Sequence, residues 1–373
     1  MRVEQLTLRG FRNYEEAAVC FDPGINVISG RNAQGKTNLL EAVYMLSGGR
    51  SFRTRFDREL IGFDKEQAEI TAEVFAEGRQ QRIELLFRRG QKKQVRLNRV
   101  KKTGAELCET VKAVLFCPDD LNLIRDGASA RRRLLDMAIC QLRPGYVRLL
   151  ADFNRLYENK LRILRDYRED PRMLDTLDEF SDALARVSAQ IIRYRAAFSL
   201  RLDAAAAPIH RDFSGADEAL SLRYATVSTV TDPTASEQKI YQEIMEHQRG
   251  HKAAELASGS CLTGAHKDDL EISINGRSAR AFASQGQTRT AALSIKMAER
   301  EIFLDDTGDS PILLLDDVLS ELDAQRQDFV LNRMAGGQTL ITCCEDEQIA
   351  KKTGGRVIFV DGGKAASLEE ARE

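Results

Sequence analysis

The pattern of apolar and polar positions changes twice along the 373-residue chain. Over residues 1–120, short strand-like runs at 3–8 and 25–28 are followed by a helical run at 38–46. Residues 68–100 then alternate with a period of two, and glycines separate the alternating runs. We therefore expect an α/β segment here that includes a meander of antiparallel hairpins.

Strand-like alternation almost disappears over residues 121–260. Apolar residues recur at helical spacing over 146–168 and 173–202, and Pro171 lies between the two runs, where it ends one helix and suits the start of the next. This pattern predicts a helical hairpin that is too short to form a long coiled-coil arm.

Alternation returns over residues 261–373. Residues 270–274 predict a strand, and the following Asn275-Gly276 pair is typical of a type I′ hairpin turn. A helical run at 290–304 precedes the continuous apolar run 312–315, which favours a buried parallel strand. The simplest fold is α/β, with one domain assembled from residues 1–120 and 261–373 and an inserted α-helical domain at 121–260.

Composition narrows the class of protein. The net charge of −2 means that the whole molecule does not attract polyanions, so any nucleic-acid contact must come from a local patch. The seven cysteines show neither CxxC pairs nor metal-ligand spacing, which indicates reduced thiols. No apolar run is long enough for a membrane span, and the N-terminus has no apolar signal core. We expect a cytoplasmic protein without a membrane partner.

The clearest motif fits the phosphate-binding pattern G-x-x-x-x-G-K-[ST] and lies between the strand at 25–28 and the helix at 38–46. Its backbone N–H groups and the helix N-terminus can cradle phosphate oxygens, its lysine can reach the β- and γ-phosphates, and its threonine can ligate Mg²⁺. The motif predicts an ATP site with Mg²⁺, formed by Gly30, Arg31, Asn32, Ala33, Gln34, Gly35, Lys36 and Thr37.

Two carboxylates follow the apolar strand 312–315. Asp316 is expected to complete the Mg²⁺ site with Thr37, and Asp317 to orient or deprotonate the attacking water, a role in which many such proteins carry glutamate. The simpler alternative is an acidic turn exposed to solvent after a buried strand.

The turn Ser284-Gln285-Gly286-Gln287 offers a second anion site at a helix N-terminus. Ser-x-x-Gln is also a common helix cap, and that alternative stays open. However, the order of phosphate loop, serine–glycine turn and carboxylate strand is that of an ABC-type ATPase head. In that class the turn of one subunit closes over the γ-phosphate held by another. This predicts that Ser284, Gly286 and Gln287 contact ATP across an ATP-dependent homodimer.

The long spacing between Lys36 and Asp316 and the helical insert resemble the split head of the SMC-like group. Several sequence blocks are more specific and are similar to the RecF family of bacterial repair proteins. These blocks are residues 11–14, the phosphate loop with 38–41, and 49–53, 118–136, 263–270 and 315–323. No histidine follows residues 339–342, where ABC heads commonly have a switch histidine, and Thr342 is a candidate for that role.

The resemblance implies an ATP-dependent DNA-binding protein of recombinational repair and replication restart. In such a protein, an ATP-gated dimer binds DNA at gaps or single-strand/duplex junctions, helps to load the recombinase and supports the SOS response. It further implies slow, DNA-stimulated ATP hydrolysis that reopens the dimer, catalytic roles for Lys36, Ser284 and Asp317, RecR and RecO as partners, and association with the nucleoid.

Two basic segments could contact DNA phosphates. Residues 88–102 hold eight basic and no acidic residues, and the candidates there are Arg88, Arg89, Lys92, Lys93 and Arg96. A solvated hairpin is an equally good interpretation. Arg131 and Arg132 open a predicted helix and could bind DNA or pair with neighbouring aspartates. The alternative function, from another class, is an SMC-like structural DNA clamp in which nucleotide only stabilises assembly.

Overall fold

The computed structural model describes residues 1–214, 217–334, 336–344 and 352–367. Its strands, in chain order, are β1 Arg2–Phe11, β2 Tyr14–Cys20, β3 Ile25–Ser29, β4 Gln67–Ala76, β5 Arg79–Arg88, β6 Gln94–Leu97, β7 Val100–Lys102, β8 Ala113–Phe116, β9 Leu220–Ala225, β10 Asp269–Ile274, β11 Arg277–Ser278, β12 Ile312–Asp316, β13 Thr339–Cys343, β14 Arg356–Asp361 and β15 Lys364–Ser367. The α-helices are α1 Lys36–Met45, α2 Gly104–Thr110, α3 Ala128–Leu142, α4 Pro144–Asp166, α5 Leu177–Ser214, α6 Glu237–Ser258, α7 Ala279–Phe282, α8 Gln285–Thr307 and α9 Ala324–Asn332.

The chain forms two compact units. Unit 1 combines Met1–Leu121 with Lys296–Glu373, and unit 2 is the continuous segment Asn122–Ile295. The predicted boundary at residue 260 is wrong, because β10 pairs in register with β9 and so belongs to the insert. The insert is also not purely helical, since β9, β10 and β11 form a three-stranded antiparallel sheet within it.

Unit 1 contains two six-stranded sheets. One is antiparallel in the order β2-β1-β4-β5-β6-β7, which includes the meander expected from the alternating pattern. The other has the order β15-β14-β3-β13-β12-β8, and its five strands from β14 to β8 are parallel. In this sheet β3 lies between two strands from the C-terminal segment, so both ends of the chain build one structure. All side chains of β12 are buried, as the continuous apolar run predicts.

Unit 2 is built around long helices. Helices α4 and α5 form the expected hairpin, and α5 continues to Ser214 with Pro208 inside it. The predicted turn after β10 is present: Asn275 and Gly276 both have positive φ, at 51° and 73°, and join β10 to β11. None of the described helices is long and apolar enough to cross a membrane.

Candidate nucleotide-binding site

The phosphate loop lies at the carboxyl end of β3 and leads directly into α1. Gly30 has φ of 151°, and a Cβ there would lie 2.1 Å from the carbonyl oxygen of Val360, so only glycine fits beside β14. Gly35 has φ of 120° and precedes Lys36, the first residue of α1. The loop therefore ends with its backbone N–H groups at a helix N-terminus, which is a general anion-binding arrangement.

Lys36 is folded back onto its own loop. Its Nζ atom donates to the carbonyl oxygens of Gly30 at 2.6 Å and Arg31 at 3.0 Å, and lies 3.5 Å from the Sγ atom of Cys344. The Cys344 thiol in turn donates to Oδ1 of Asn32 at 2.9 Å. Sequence reasoning did not identify Cys344 as part of this site. Its only signal was its position directly after β13, in the region where ABC heads commonly have a switch histidine and this chain has none.

The carboxylate strand and the phosphate loop meet at one oxygen atom. The hydroxyl of Thr37 donates to Oδ1 of Asp316 at 2.8 Å, and the hydroxyl of Thr342 donates to the same oxygen at 2.9 Å. Burial raises the pKa of Asp316, whereas these two hydrogen bonds lower it. A hydroxyl and a carboxylate this close are hard oxygen donors of the kind Mg²⁺ prefers, so both residues fit the predicted metal site.

Asp317 has a left-handed backbone conformation, with φ of 52°. This conformation is unfavourable for a residue other than glycine and requires support from its surroundings. The support is visible: the Asp317 N–H donates to the Thr342 hydroxyl at 2.8 Å, and the Ser320 hydroxyl donates to the Asp317 carbonyl at 2.7 Å. Thr342 therefore holds both aspartates in place, and its role as a substitute for the switch histidine stays a prediction.

Glu41 links three of the segments that carry the family resemblance. Its side chain is fully buried and accepts two hydrogen bonds from Arg12, at 2.9 and 2.8 Å. It also accepts from the Ser51 hydroxyl and lies 3.6 Å from the guanidinium of Arg53. Arg53 donates to Asn38 on α1 at 2.6 Å. Sequence reasoning assigned no role to Glu41, although a carboxylate inside the apolar run 39–46 was a visible signal.

The serine–glycine turn, which lies in unit 2, has the geometry of a helix cap. The Gln287 N–H donates to the Ser284 hydroxyl at 3.2 Å, and the Ser284 N–H donates to Oε1 of Gln287 at 2.8 Å. The Gln287 side chain also donates to Glu218 at 2.8 Å. The capping alternative is thus realised in the single chain, and contact of Ser284, Gly286 and Gln287 with nucleotide remains a prediction.

Some of the candidate DNA-contact residues are buried and paired inside the protein, and others are exposed to solvent. Arg131 is wrong as a DNA contact, because it is buried, pairs with Asp269 through two hydrogen bonds of 2.7 and 2.9 Å, and donates to carbonyl groups of its own unit. Arg132 is half-buried and donates to the Asp268 carbonyl. Of the hairpin residues, Arg88, Arg89, Lys92 and Arg96 are exposed and Lys93 is partly buried.

His266 and its neighbours Asp268 and Asp269 have separate partners. His266 donates from Nε2 to the Cys261 carbonyl at 3.0 Å, while Asp268 accepts from Thr226 at 2.6 Å and from Tyr224. Across the described ranges, no group of three or more histidine, cysteine, aspartate or glutamate side chains could hold a metal ion. These residues therefore serve the packing of unit 2.

The fold and the site together define an SMC-type head of the ABC ATPase class. The family model described as the RecF/RecN/SMC N terminal domain matches residues 2–362. A solved SMC head domain from Pyrococcus furiosus, bound to the C-terminal domain of ScpA, shares this fold with a TM-score of 0.53 at 17% identity over 99% of this chain and 97% of that one.

Much closer similarity is found to individual proteins. The DNA replication and repair protein RecF of Desulforamulus reducens is 36% identical over 99% of this chain and 100% of its own length, and that of Acetivibrio thermocellus is 34% identical over 96% and 98%. The solved recombination mediator protein RecF-ATP of the RecFOR pathway has a TM-score of 0.89 at 32% identity over 98% of this chain and 97% of that one. The chain belongs to the RecF family.

Proposed function

We propose that this protein is an ATPase that binds ATP with Mg²⁺ at the phosphate loop. The observation that carries this proposal is the 2.8 Å contact between Thr37 and Asp316, which unites two motifs 279 residues apart in sequence. A solved relative described as RecF-ATP supports ATP as the nucleotide. Lys36 would leave the carbonyl groups of its own loop to bind phosphate oxygens when ATP enters.

The protein then acts, in this proposal, as an ATP-gated dimer on DNA. The Ser284–Gln287 turn of one copy contacts the nucleotide bound by the other, so ATP closes the dimer and slow hydrolysis, stimulated by DNA, reopens it. Asp317 is the group that orients or deprotonates the attacking water, because it directly follows the metal-binding Asp316.

The biological role proposed is recombinational repair and replication restart. Relatives of 34% and 36% identity carry the name DNA replication and repair protein RecF, and solved relatives are placed in the RecFOR pathway. The closed dimer would bind gaps or single-strand/duplex junctions on the nucleoid and help to load the recombinase with RecR and RecO, which supports SOS induction.

The decisive experiment is light scattering on Asp317→Asn with ATP and Mg²⁺, with and without a gapped duplex. Loss of the general base should slow hydrolysis by about 100-fold or more and so accumulate an ATP-dependent dimer that the gapped duplex strengthens. Lys36→Ala should remain monomeric, and Asp305→Asn, an exposed carboxylate on α8, should behave as the wild type.

A persistent monomer would refute closure across two subunits while leaving the phosphate-loop assignment intact. Normal turnover in Asp317→Asn would exclude Asp317 as the base. A dimer that holds DNA but whose ATPase activity does not respond to DNA would instead identify a structural clamp.

A further inference from the structure

Two exposed phenylalanines lie at the same end of the antiparallel sheet of unit 1. Phe63 is 94% exposed and Phe56 is 56% exposed, although large apolar side chains are normally covered. Both lie between α1 and β4, beside the hairpin turn that joins β5 to β6. We call residues 55–58, 62–66 and 88–93 together the aromatic–basic tip.

The loop that carries Phe63 is tied to β1 and to the β5–β6 hairpin by hydrogen bonds that involve its backbone. Arg89 donates from Nε to the Lys65 carbonyl at 2.9 Å and from Nη2 to the Phe63 carbonyl at 3.0 Å. The Gly62 N–H donates to the Gly10 carbonyl at 2.8 Å, and the Arg89 N–H donates to the Glu66 carbonyl at 3.1 Å. Arg89 thus fixes the backbone beneath an aromatic ring that projects into solvent.

The loop that carries Phe56 also contacts this hairpin. The neighbouring residue Asp57 pairs with Lys93 at 3.2 Å, and Lys93 also donates to the Gly49 carbonyl at 2.5 Å. The guanidinium of Arg58 lies 5.1 Å from the centre of the Phe56 ring. Lys93 and Arg89 therefore help to position the two aromatic loops, and their contact with DNA phosphates stays a prediction.

The charge around the two rings is predominantly positive. Exposed cations of the tip are Arg55, Arg58, Arg88, Arg89 and Lys92. The hairpin sequence 88–102 contains no acidic residue, and the Asp57 carboxylate is already paired with Lys93. Asp64 and Glu66 are the two acidic residues of the Phe63 loop, and the exposed cations of the tip outnumber them.

Exposed aromatic rings flanked by cations are the chemistry that binds single-stranded nucleic acid, because bases stack on the rings while cations follow the phosphates. We propose that the aromatic–basic tip binds unpaired DNA bases beside a duplex, with Phe56 and Phe63 as the stacking residues. This inference rests on the proposed DNA-binding function and assigns its preference for gaps to two named side chains. A protein partner would need an apolar pocket for the rings and would tolerate their replacement by leucine.

A fluorescence experiment tests the stacking directly, because the chain contains no tryptophan. Phe63→Trp introduces a single indole at the tip, and Leu200→Trp introduces one at a 60% exposed position on α5 as a matched control. A duplex with a single-stranded gap should quench the fluorescence of the first variant at saturation and leave the second unchanged. Equal responses, or none in Phe63→Trp despite saturated binding, would overturn the proposal.

Affinity measurements provide the second test. Phe63→Ala should weaken binding to a gapped duplex by roughly 5- to 150-fold, the range expected for one lost base stack, and leave binding to a covalently closed duplex circle unchanged. Phe63→Leu should show the same loss, whereas Arg88→Ala should weaken binding to both DNAs equally. Unchanged affinity of Phe63→Ala for the gapped duplex, or equal loss on both DNAs, would refute stacking. Failure of the wild type to bind either DNA would instead refute the proposed function.

Discussion

Substitution of Thr342 should slow ATP hydrolysis without weakening nucleotide binding. The buried hydroxyl of Thr342 donates to Asp316 and accepts from the N–H of Asp317, so it holds both the proposed metal ligand and the left-handed backbone of the proposed general base. Thr342→Val keeps the shape and deletes both hydrogen bonds, one of them to a charged group worth about 1.5–3 kcal/mol. We expect kcat for ATP hydrolysis to fall roughly 10- to 100-fold with KM for ATP within about a factor of two.

The same strand offers a matched control. The hydroxyl of Thr339 is buried without a hydrogen-bond partner among the described residues, so Thr339→Val should leave kcat unchanged. Thr342→Ser should restore most of the activity because it keeps the hydroxyl. If Thr342→Val hydrolysed ATP at the wild-type rate, the two hydrogen bonds would have no catalytic importance.

His266 should make stability depend on pH. Its Nε2 donates to the Cys261 carbonyl, its Nδ1 is buried without a partner among the described residues, and the Tyr157 ring lies 4.6 Å away. Burial, with nearby Lys267 and Arg132, lowers the pKa of His266 to about 4. The unfolded chain takes up this proton near pH 6.5 while the folded chain does not, so stability is retained above pH 6.5 and lost as pH falls towards 4.

Urea unfolding of the full chain at pH 7 and pH 5 measures this effect. His266→Gln should reduce the difference between the two midpoints, since the lowered pKa of His266 accounts for about 2 kcal/mol between these two pH values. Tyr157→Phe keeps the aromatic ring beside His266 and removes no group that titrates between pH 5 and pH 7, so as the matched control it should leave the difference as it is in the wild type. A pH dependence that survives unchanged in His266→Gln would assign it to other groups.

At the scale of elements, strong periodic signals predicted the structure and weak ones did not. The continuous apolar run of β12 indicates a strand buried on both faces, which requires apolar residues at every position. The Asn275-Gly276 pair indicates a hairpin turn, because few residues adopt two consecutive positive φ angles. β9 was missed although Leu220, Leu222 and Tyr224 alternate, since six residues between helices form a weak pattern. Its partner β10 is 44 residues away, and no local signal indicates such pairing.

The candidate site shows the same contrast between residues that a local sequence pattern reveals and residues whose partners are distant in sequence. The phosphate loop and Asp316 were found because their chemistry requires fixed residue types at fixed spacing. Arg131 was misassigned because its partner, Asp269, lies 138 residues further along the chain. The contacts of Glu41 and Arg89 were not foreseen, since they depend on backbone and side-chain groups brought together only by folding.

At the scale of the whole molecule, the two units differ in how they can fold. Unit 1 needs both ends of the chain, because β3 lies between β13 and β14. Unit 2 is continuous, and its interior includes Arg195, which pairs with Asp136 at 2.8 Å and with Asp268 at 3.2 Å. Asp268 is fully buried, so a fragment that lacks it would leave Arg195 partly unpaired in the interior.

Two fragments therefore distinguish the boundary seen in the structure from the one predicted from sequence. Residues 122–295 contain β9, β10 and the Arg195 network, so we expect this fragment to be monomeric and helical and to unfold in one cooperative thermal transition followed by circular dichroism. Residues 122–260 lack β10, Asp268 and Asp269, which leaves β9 without its partner, Arg131 without its carboxylate and Arg195 with only one of its two. This shorter fragment should show no cooperative transition. Equal cooperativity of the two fragments would mean that β10 contributes little to unit 2 and that the boundary lies near residue 260.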